Sequence, residues 1–128
     1  MDSEVVVRDP LMPDEAQGLI CVGEVPKGSF VRLLNGTPES LIAAAARARV
    51  LAEQSMPPLA ETEPIVLFID CISRALFLGD RIVDELQTAA AGRTLFGAMT
   101  LGEIANNGTE YLEFYNKTSV LAMFPVDR

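Results

Sequence analysis

The apolar run between Pro64 and Asp70 constrains the fold of this chain more than any other feature. Its sequence, IVLFI, is rich in β-branched residues and is too short to span a membrane. Such a run is typical of a strand that is buried on both faces. It is followed at once by the ionisable residues Asp70, Cys71 and Arg74. Open α/β sheets bind ligands at the carboxyl ends of their strands, which makes this a candidate site. The alternative is that Asp70 and Arg74 form a structural ion pair or cap the next helix.

Composition and charge exclude several classes of function. With 128 residues the chain has the size of one domain, so residues 1–128 are expected to form a single domain. The net charge of −8 repels phosphate groups, so we expect neither a nucleic acid nor a membrane as partner. The chain has no histidine, which removes the Ser-His-Asp and Cys-His arrangements and the commonest metal ligand. We therefore expect neither an enzyme nor a metal site.

The sequence also indicates a compartment and a tendency to associate. No secretory signal and no apolar segment of about 18 residues is found, so we expect a cytoplasmic protein with Cys21 and Cys71 reduced. Apolar residues make up 49% of the chain and charged residues only 22%. This balance predicts apolar surface that faces a partner, a missing domain or a second copy, and hence a homo-oligomer. The alternative is one well-buried domain with an alanine-rich helix.

Local sequence signals predict two helices. Thr37 is a good N-cap and Pro38 suits the first helical position, so a helix is expected over 38–54. A second helix is expected over 81–91, with the Asp80 carboxylate as its cap.

Apolar stretches bounded by turn residues predict about six strands. The stretches 18–25 and 30–34 flank Pro26-Lys27-Gly28, which predicts a hairpin. The predicted strand stretches are 4–8, 18–25, 30–34, 64–70, 95–101, 111–116 and 118–124, with a turn at 106–108. The last two are separated only by a break at 116–117 and count as one strand in the order that follows. The order β-β-β-α-β-α-β-β predicts an α/β (α+β) domain. We expect a mixed, largely antiparallel sheet centred on 64–70, with the helices packed over it.

Five short motifs together resemble the C-terminal domain of FIST proteins, which are intracellular signal-transduction sensory proteins. In chain order they are VRDPL (7–11), GEVPKGS (23–29), FIDCISR (68–74), GAMTLGEI (97–104) and FYNKT (114–118). Each motif alone is weak, but five in the family's order are fairly specific. The resemblance implies a bacterial, cytoplasmic sensor of small ligands, including amino acids, that signals to a kinase or a cyclase. It also implies an N-terminal FIST domain that is missing from this chain. Some members bind haem, but without histidine this chain cannot supply an imidazole ligand to the iron, so no cofactor is expected.

The motifs contain the residues from which we predict a ligand pocket. Arg74 has the planar fork that suits a ligand carboxylate, and Glu103 can accept an ammonium group, so the pair would suit a zwitterion. The candidate ligand-binding residues are Asp70, Cys71, Arg74, Gly102, Glu103 and Asn116. The pocket is expected where the Asp70–Arg74 strand end meets Gly102 and Glu103, because both predicted strands end in ionisable residues.

Each candidate also has a structural alternative. Arg74 can pair with Asp70, Asp80 or Glu103, and Glu103 can be an exposed acid before a turn. Asn116 can hold a turn through bonds to the backbone. Cys71 as a nucleophile is the least favoured reading, since no base is evident beside it. Two functions remain open. The chain is either a sensory domain or a structural or dimerisation module whose ligand or haem site lies in the missing N-terminal domain.

Overall fold

The computed structural model describes residues 5–57, 63–106 and 111–126. Within them it has seven strands, three α-helices and one 3-10 turn. In chain order these are β1 (Pro10–Pro13), β2 (Leu19–Cys21), α1 (Pro38–Ser55), β3 (Ile65–Cys71), α2 (Ile72–Leu78), a 3-10 turn (Gly79–Arg81), α3 (Ile82–Ala90), β4 (Leu95–Thr100), β5 (Glu103–Ala105), β6 (Glu113–Tyr115) and β7 (Ser119–Phe124). The α+β class predicted from the sequence is confirmed.

Strand β3 is the centre of the fold, as its apolar sequence predicts. It lies between β4 and β7, parallel to the first and antiparallel to the second. The side chains of Val66 and Phe68 are buried, and Phe68 packs against Ala45 of α1 and Ala89 of α3. Small alanine side chains let both helices approach this face of the sheet closely. The other described strands form two separate pairs, β1 with β2 and β5 with β6.

Helix α1 begins at the residues that the sequence indicates. Thr37 is the N-cap, and its Oγ1 accepts the backbone N–H of Ser40 at 3.2 Å. The hydroxyl of Ser40 in turn accepts the backbone N–H of Thr37 at 2.9 Å. The two residues therefore satisfy each other's free N–H groups in a capping box.

Replacing Thr37 with Ala is expected to lower the free energy of unfolding by about 1 kcal/mol, because the N–H of Ser40 loses its acceptor. Thr88→Ala is a matched control. The Thr88 hydroxyl donates to Asp84 O in an exposed hydrogen bond within helix α3, so its loss is expected to cost less than about 0.5 kcal/mol. Urea denaturation measures both. Equal losses of stability in the two variants would show that the capping box adds no more than an ordinary hydroxyl bond.

The strand predicted over 4–8 is wrong in its described part. Residues 5–9 form no strand, and β1 begins only at Pro10. Val7 and Asp9 instead bond to one residue of a distant turn. Val7 O accepts the backbone N–H of Asn116, and the N–H of Asp9 donates to Asn116 Oδ1. These two bonds take the place of a strand ladder.

The hairpin predicted between 18–25 and 30–34 is also wrong. Strand β2 pairs with β1, and residues 30–34 form no strand. The reason lies in Asp14, whose Oδ1 accepts the backbone N–H groups of Ala16 and Gly18 and so closes a tight loop between β1 and β2. Without a partner strand, Phe30 remains fully exposed.

The sequence did not indicate helix α2, and Asp80 does not cap α3. Gly79 has a φ of +55° and ends α2. The chain then continues through the 3-10 turn, where Arg81 already has nearly helical backbone angles, and α3 follows with no side-chain cap. A helix that grows out of a preceding turn needs no separate N-cap, which is why the Asp80 signal was misleading.

The C-terminal strands lie close to the predicted stretches, except that β5 (Glu103–Ala105) was not predicted. The break at 116–117 is confirmed, and Lys117 there has a φ of +54°. On its two sides, β6 pairs with β5 and β7 pairs with β3. The predicted turn at 106–108 lies largely outside the described residues. No helix in the described part of the chain has the length and hydropathy to cross a membrane.

Candidate functional site

Arg74 is the centre of a buried ionic cluster at the carboxyl end of β3. Its Nε lies 2.9 Å from Asp70 Oδ1, and its Nη2 donates to Glu85 Oε1. The same Nη2 donates to Leu41 O at 3.0 Å. Asp70 and Glu85 are completely buried, and Arg74 is 3% exposed. The cluster, defined as Asp70, Arg74 and Glu85, joins β3, α2 and α3 and contacts the start of α1.

The local structure explains why these three side chains meet. Asp70 lies two residues after Phe68 on β3, so its side chain points to the same, helix-covered side of the sheet. Arg74 follows four residues later, in the first turn of α2. Glu85 lies on the inner face of α3, one turn before the buried Ala89. The packing of β3, α2 and α3 against one another therefore brings the three charged side chains together in the core.

The cluster holds two carboxylates for one guanidinium. Burial raises the pKa of Glu85 to about 7, because the nearby Asp70 adds to the effect and Arg74 only partly opposes it. Burial also raises the pKa of Asp70, again against the influence of Arg74. A hydrogen bond between the Glu85 and Asp70 carboxyl groups further favours the neutral form of Glu85. The cluster therefore takes up a proton near neutral pH.

Glu103 lies beside this cluster and is also buried, with 2% exposure. The Thr100 hydroxyl lies 2.9 Å from Glu103 Oε1 and 3.4 Å from Asp70 O, so it bridges the ends of β3 and β5. Burial raises the pKa of Glu103, and the Thr100 hydroxyl and the backbone N–H of Thr118 offset part of that rise. The alternative of an exposed acid before a turn is thus wrong.

The turn between β6 and β7 closes over the same strand end. Arg74 Nη1 donates to Lys117 O at 3.4 Å, and the backbone N–H of Cys71 donates to Thr118 O at 3.2 Å. The Thr118 hydroxyl donates to Asn116 O at 3.1 Å. Asn116 is fully buried and, through Asp9, joins this turn to the N-terminal segment. Its bonds to the backbone fit the reading that it holds the turn.

Gly102 brings the Glu103 strand against this turn. It has a φ of +118°, and a Cβ added there would lie 2.3 Å from Phe114 Cζ and 2.9 Å from Asn116 Nδ2. Only glycine satisfies both the backbone angle and the close approach.

Gly102→Ala is therefore expected to lower the free energy of unfolding by more than about 1–3 kcal/mol, the range for backbone strain alone. Gly28→Ala is the control, since Gly28 has a φ of +89° but nothing within 4 Å of an added Cβ. Thermal unfolding compares the two variants. If Gly102→Ala costs no more than Gly28→Ala, the close contact with Phe114 does not matter.

The structure thus brings the six predicted site residues to one place. Five of them are buried and Gly102 is partly so. Both cysteines are free, and Cys71 Sγ lies 3.2 Å from Ser73 Oγ. Arg74 pairs with Asp70, which was one of the structural alternatives for this residue, and it does not pair with Asp80. The residue that sequence reasoning missed is Glu85. The sequence does contain an indication of its role, because Glu85 is an acid on the same helix face as the apolar residues Ile82 and Ala89.

An open cleft of about 630 Å³ lies next to the cluster, between α1 and β7. Its α1 wall is the helical stripe of Ala48, Leu51, Ala52 and Ser55, and its other wall includes residues 119–123 of β7. Ser119 is the register partner of Asp70, so the cleft begins where the cluster ends. Its volume lies in the range of ligand sites, about 300–1,000 Å³.

Fold and site together define a small α+β domain with a buried ionic cluster at the carboxyl edge of its sheet. The family model of the FIST C domain matches residues 1–106, and the chain belongs to the FIST C domain family. This is a family of signal-transduction sensory domains, so the resemblance seen in the sequence motifs is confirmed. The fifth motif, at 114–118, lies beyond the matched residues. Neither a curated protein nor a solved structure matches the chain significantly.

Proposed function

We propose that this chain is a small-ligand-binding sensory domain, and that its ligand binds in the cleft between α1 and β7. The observation that carries the proposal is the position of the cleft. Its β7 wall pairs with β3 at Asp70, and Asp70 contacts Arg74, which in turn contacts α1, α3 and the 116–118 turn. A ligand that shifts β7 would therefore act on the one cluster that touches most of the fold.

Binding of small molecules followed by NMR chemical shifts tests this proposal. The panel contains amino acids, small carboxylic acids and uncharged compounds, since the ligands that the family resemblance implies include amino acids. Ala52→Phe fills the cleft, whereas Ala43→Phe adds the same ring at an exposed position of α1 outside it. We expect at least one compound to change the NMR chemical shifts of residues along α1 and β7. These changes should disappear in Ala52→Phe and remain in Ala43→Phe. Hits that survive in Ala52→Phe would contradict the cleft as the site.

The hypothesis that Arg74 and Glu103 bind a zwitterion stays a prediction. The guanidinium of Arg74 already meets Asp70, Glu85 and two backbone carbonyls. A ligand carboxylate would reach it only by displacing one of the two acids. That exchange would carry a signal from the ligand to the core, and NMR chemical-shift changes at residues 70–74 and 103 on addition of an amino acid would support it.

We propose the cellular location and the partners from what the family resemblance implies. It comprises a cytoplasmic location, an N-terminal FIST domain as neighbour, and a kinase or cyclase as output. The net charge of −8 fits this setting, because it disfavours contact with nucleic acids and anionic membranes. No bound cofactor or catalytic activity is part of the proposal.

A second candidate is the structural or dimerisation module, which one observation favours. The sheet face opposite the helices is wholly apolar in its described core: Leu67 lies between Phe96 and Ala122, and Ile69 between Ala98 and Val120. The rings of Phe96 and Phe124 at its margins are about half exposed. Such a face is expected to be covered by another surface, and a second copy of the chain is the covering that we propose.

Light scattering at several concentrations tests self-association. Phe96→Lys is expected to shift the chain toward monomer, whereas Phe30→Lys, at a fully exposed residue outside this sheet, is not. A parent chain that stays monomeric at high concentration would contradict this candidate function.

A further inference from the structure

We infer that the cleft between α1 and β7 takes an uncharged molecule with an apolar body and one amide-like hydrogen-bonding group. This inference rests on the proposed function, because it names the chemical class of the ligand for the same site. It differs from the zwitterion expected from the sequence.

The first reason is that the described lining of the cleft carries no charge. None of the described residues that line it has a charged side chain. Of the charged residues on α1, Arg49 and Glu53 pair with each other at 2.7 Å, and Glu53 also pairs with Arg93 of the segment after α3. Arg47 lines a separate groove with Val50 and Gln54 and does not line the cleft.

A zwitterion meets no counter-charge among the described lining residues. Its carboxylate and its ammonium group would lose water on binding there without gaining an ion pair from these residues. An uncharged ligand avoids this cost and still buries its apolar part against Leu51, Ala52 and Leu121.

The second reason is the hydrogen-bonding edge of β7. Side chains of a strand alternate between its two faces, yet consecutive residues 119–123 all line the cleft. The cleft therefore runs along the edge of the strand and not over one face. Among the described residues β7 pairs as a strand with β3 alone, and no described backbone group bonds to its outer N–H and C=O groups. An amide offers both a donor and an acceptor to such an edge.

Three ligands of equal chain length separate these effects: hexanamide, hexanoate and hexylammonium, titrated into the chain at pH 7 and followed by NMR chemical shifts. We expect hexanamide to bind at least about tenfold more tightly than either ion. Across pentanamide, hexanamide and heptanamide we expect about fourfold tighter binding for each methylene, the equivalent of about 0.8 kcal/mol. Equal affinities for the amide and the ions would overturn the inference.

Two matched variants place the effect in the cleft. Leu51 lines the cleft and is 63% exposed, so Leu51→Lys is expected to fold normally and to move the preference toward hexanoate. The neighbouring Val50 does not line this cleft, and Val50→Lys is expected to leave the preference unchanged. An unchanged preference in Leu51→Lys would overturn the inference.

The outcomes distinguish this inference from the proposed function. If leucine binds in the cleft more tightly than hexanamide, and Ala52→Phe abolishes its binding, the proposed function stands and the inference falls. If neither the amides nor any other compound binds in the cleft, both fall.

Discussion

Replacing Arg74 with Ala is expected to lower the free energy of unfolding by about 3–5 kcal/mol, the cost of breaking a buried ion pair. The substitution leaves Asp70 and Glu85 buried without their only described cationic partner. It also removes the hydrogen bonds to Leu41 O and Lys117 O. A residue that served only a ligand at a strand end would show a small effect on stability.

Urea denaturation measures this loss, and Arg81→Ala is the matched control. Arg81 also contacts two acids, Glu39 and Asp84, but its side chain is 43% exposed. Surface pairs contribute about 0–1 kcal/mol, so the control is expected to change little. If Arg74→Ala does not fold, the variant Arg74→Met with Asp70→Asn and Glu85→Gln removes all the charges together and is expected to recover folding. A loss at Arg74 no larger than at Arg81 would contradict a structural role for the cluster.

The stability of the chain is expected to fall as the pH rises from 5 to 8. The folded state raises the pKa of Glu85 from 4.5 to about 7, so between these values the native protein binds more protons than the unfolded chain. Under that condition the free energy of unfolding decreases with pH, by about 3 kcal/mol in all at about 1.4 kcal/mol per pKa unit. The raised pKa of Asp70 acts in the same direction.

Urea midpoints at pH 5, 6, 7 and 8 give this profile. Glu85→Gln is expected to flatten most of it, because the amide stays neutral throughout the range. Glu39→Gln is the control, since Glu39 is an exposed acid whose pKa is lowered by Arg81 and whose stabilising contribution is lost only below pH 5. A parent profile that is level or rising from pH 5 to 8 would show that Glu85 ionises like an ordinary surface carboxyl.

Features that depend on nearby residues could be predicted from the sequence. The start of α1 follows from Thr37 and Pro38, which act within one turn. The central position of β3 follows from a run too apolar to lie at an edge. Its end could be recognised as an ionic site because Asp70 and Arg74 are only four residues apart.

Features that depend on partners far along the chain could not be predicted. The hairpin predicted after Gly18 was wrong because Asp14 closes the loop toward β1 instead. Glu85 joins the cluster only because α3 packs over β3, and a lone acid on an apolar stripe does not reveal its partner. The cleft likewise depends on how α1 crosses an edge strand that lies more than sixty residues later.

The bonds from Asn116 to Val7 and Asp9 have a consequence for the order of folding. They join residues 109 and 107 positions apart, and β3 acquires its antiparallel neighbour only from residues 119–124. Contacts of such sequence separation slow folding, because a long loop must close before they form. During synthesis Val7 and Asp9 therefore lack their Asn116 partner, and β3 lacks its antiparallel neighbour, until the last residues emerge from the ribosome. We expect a chain truncated before Glu113 to remain largely unfolded, which far-ultraviolet circular dichroism would detect.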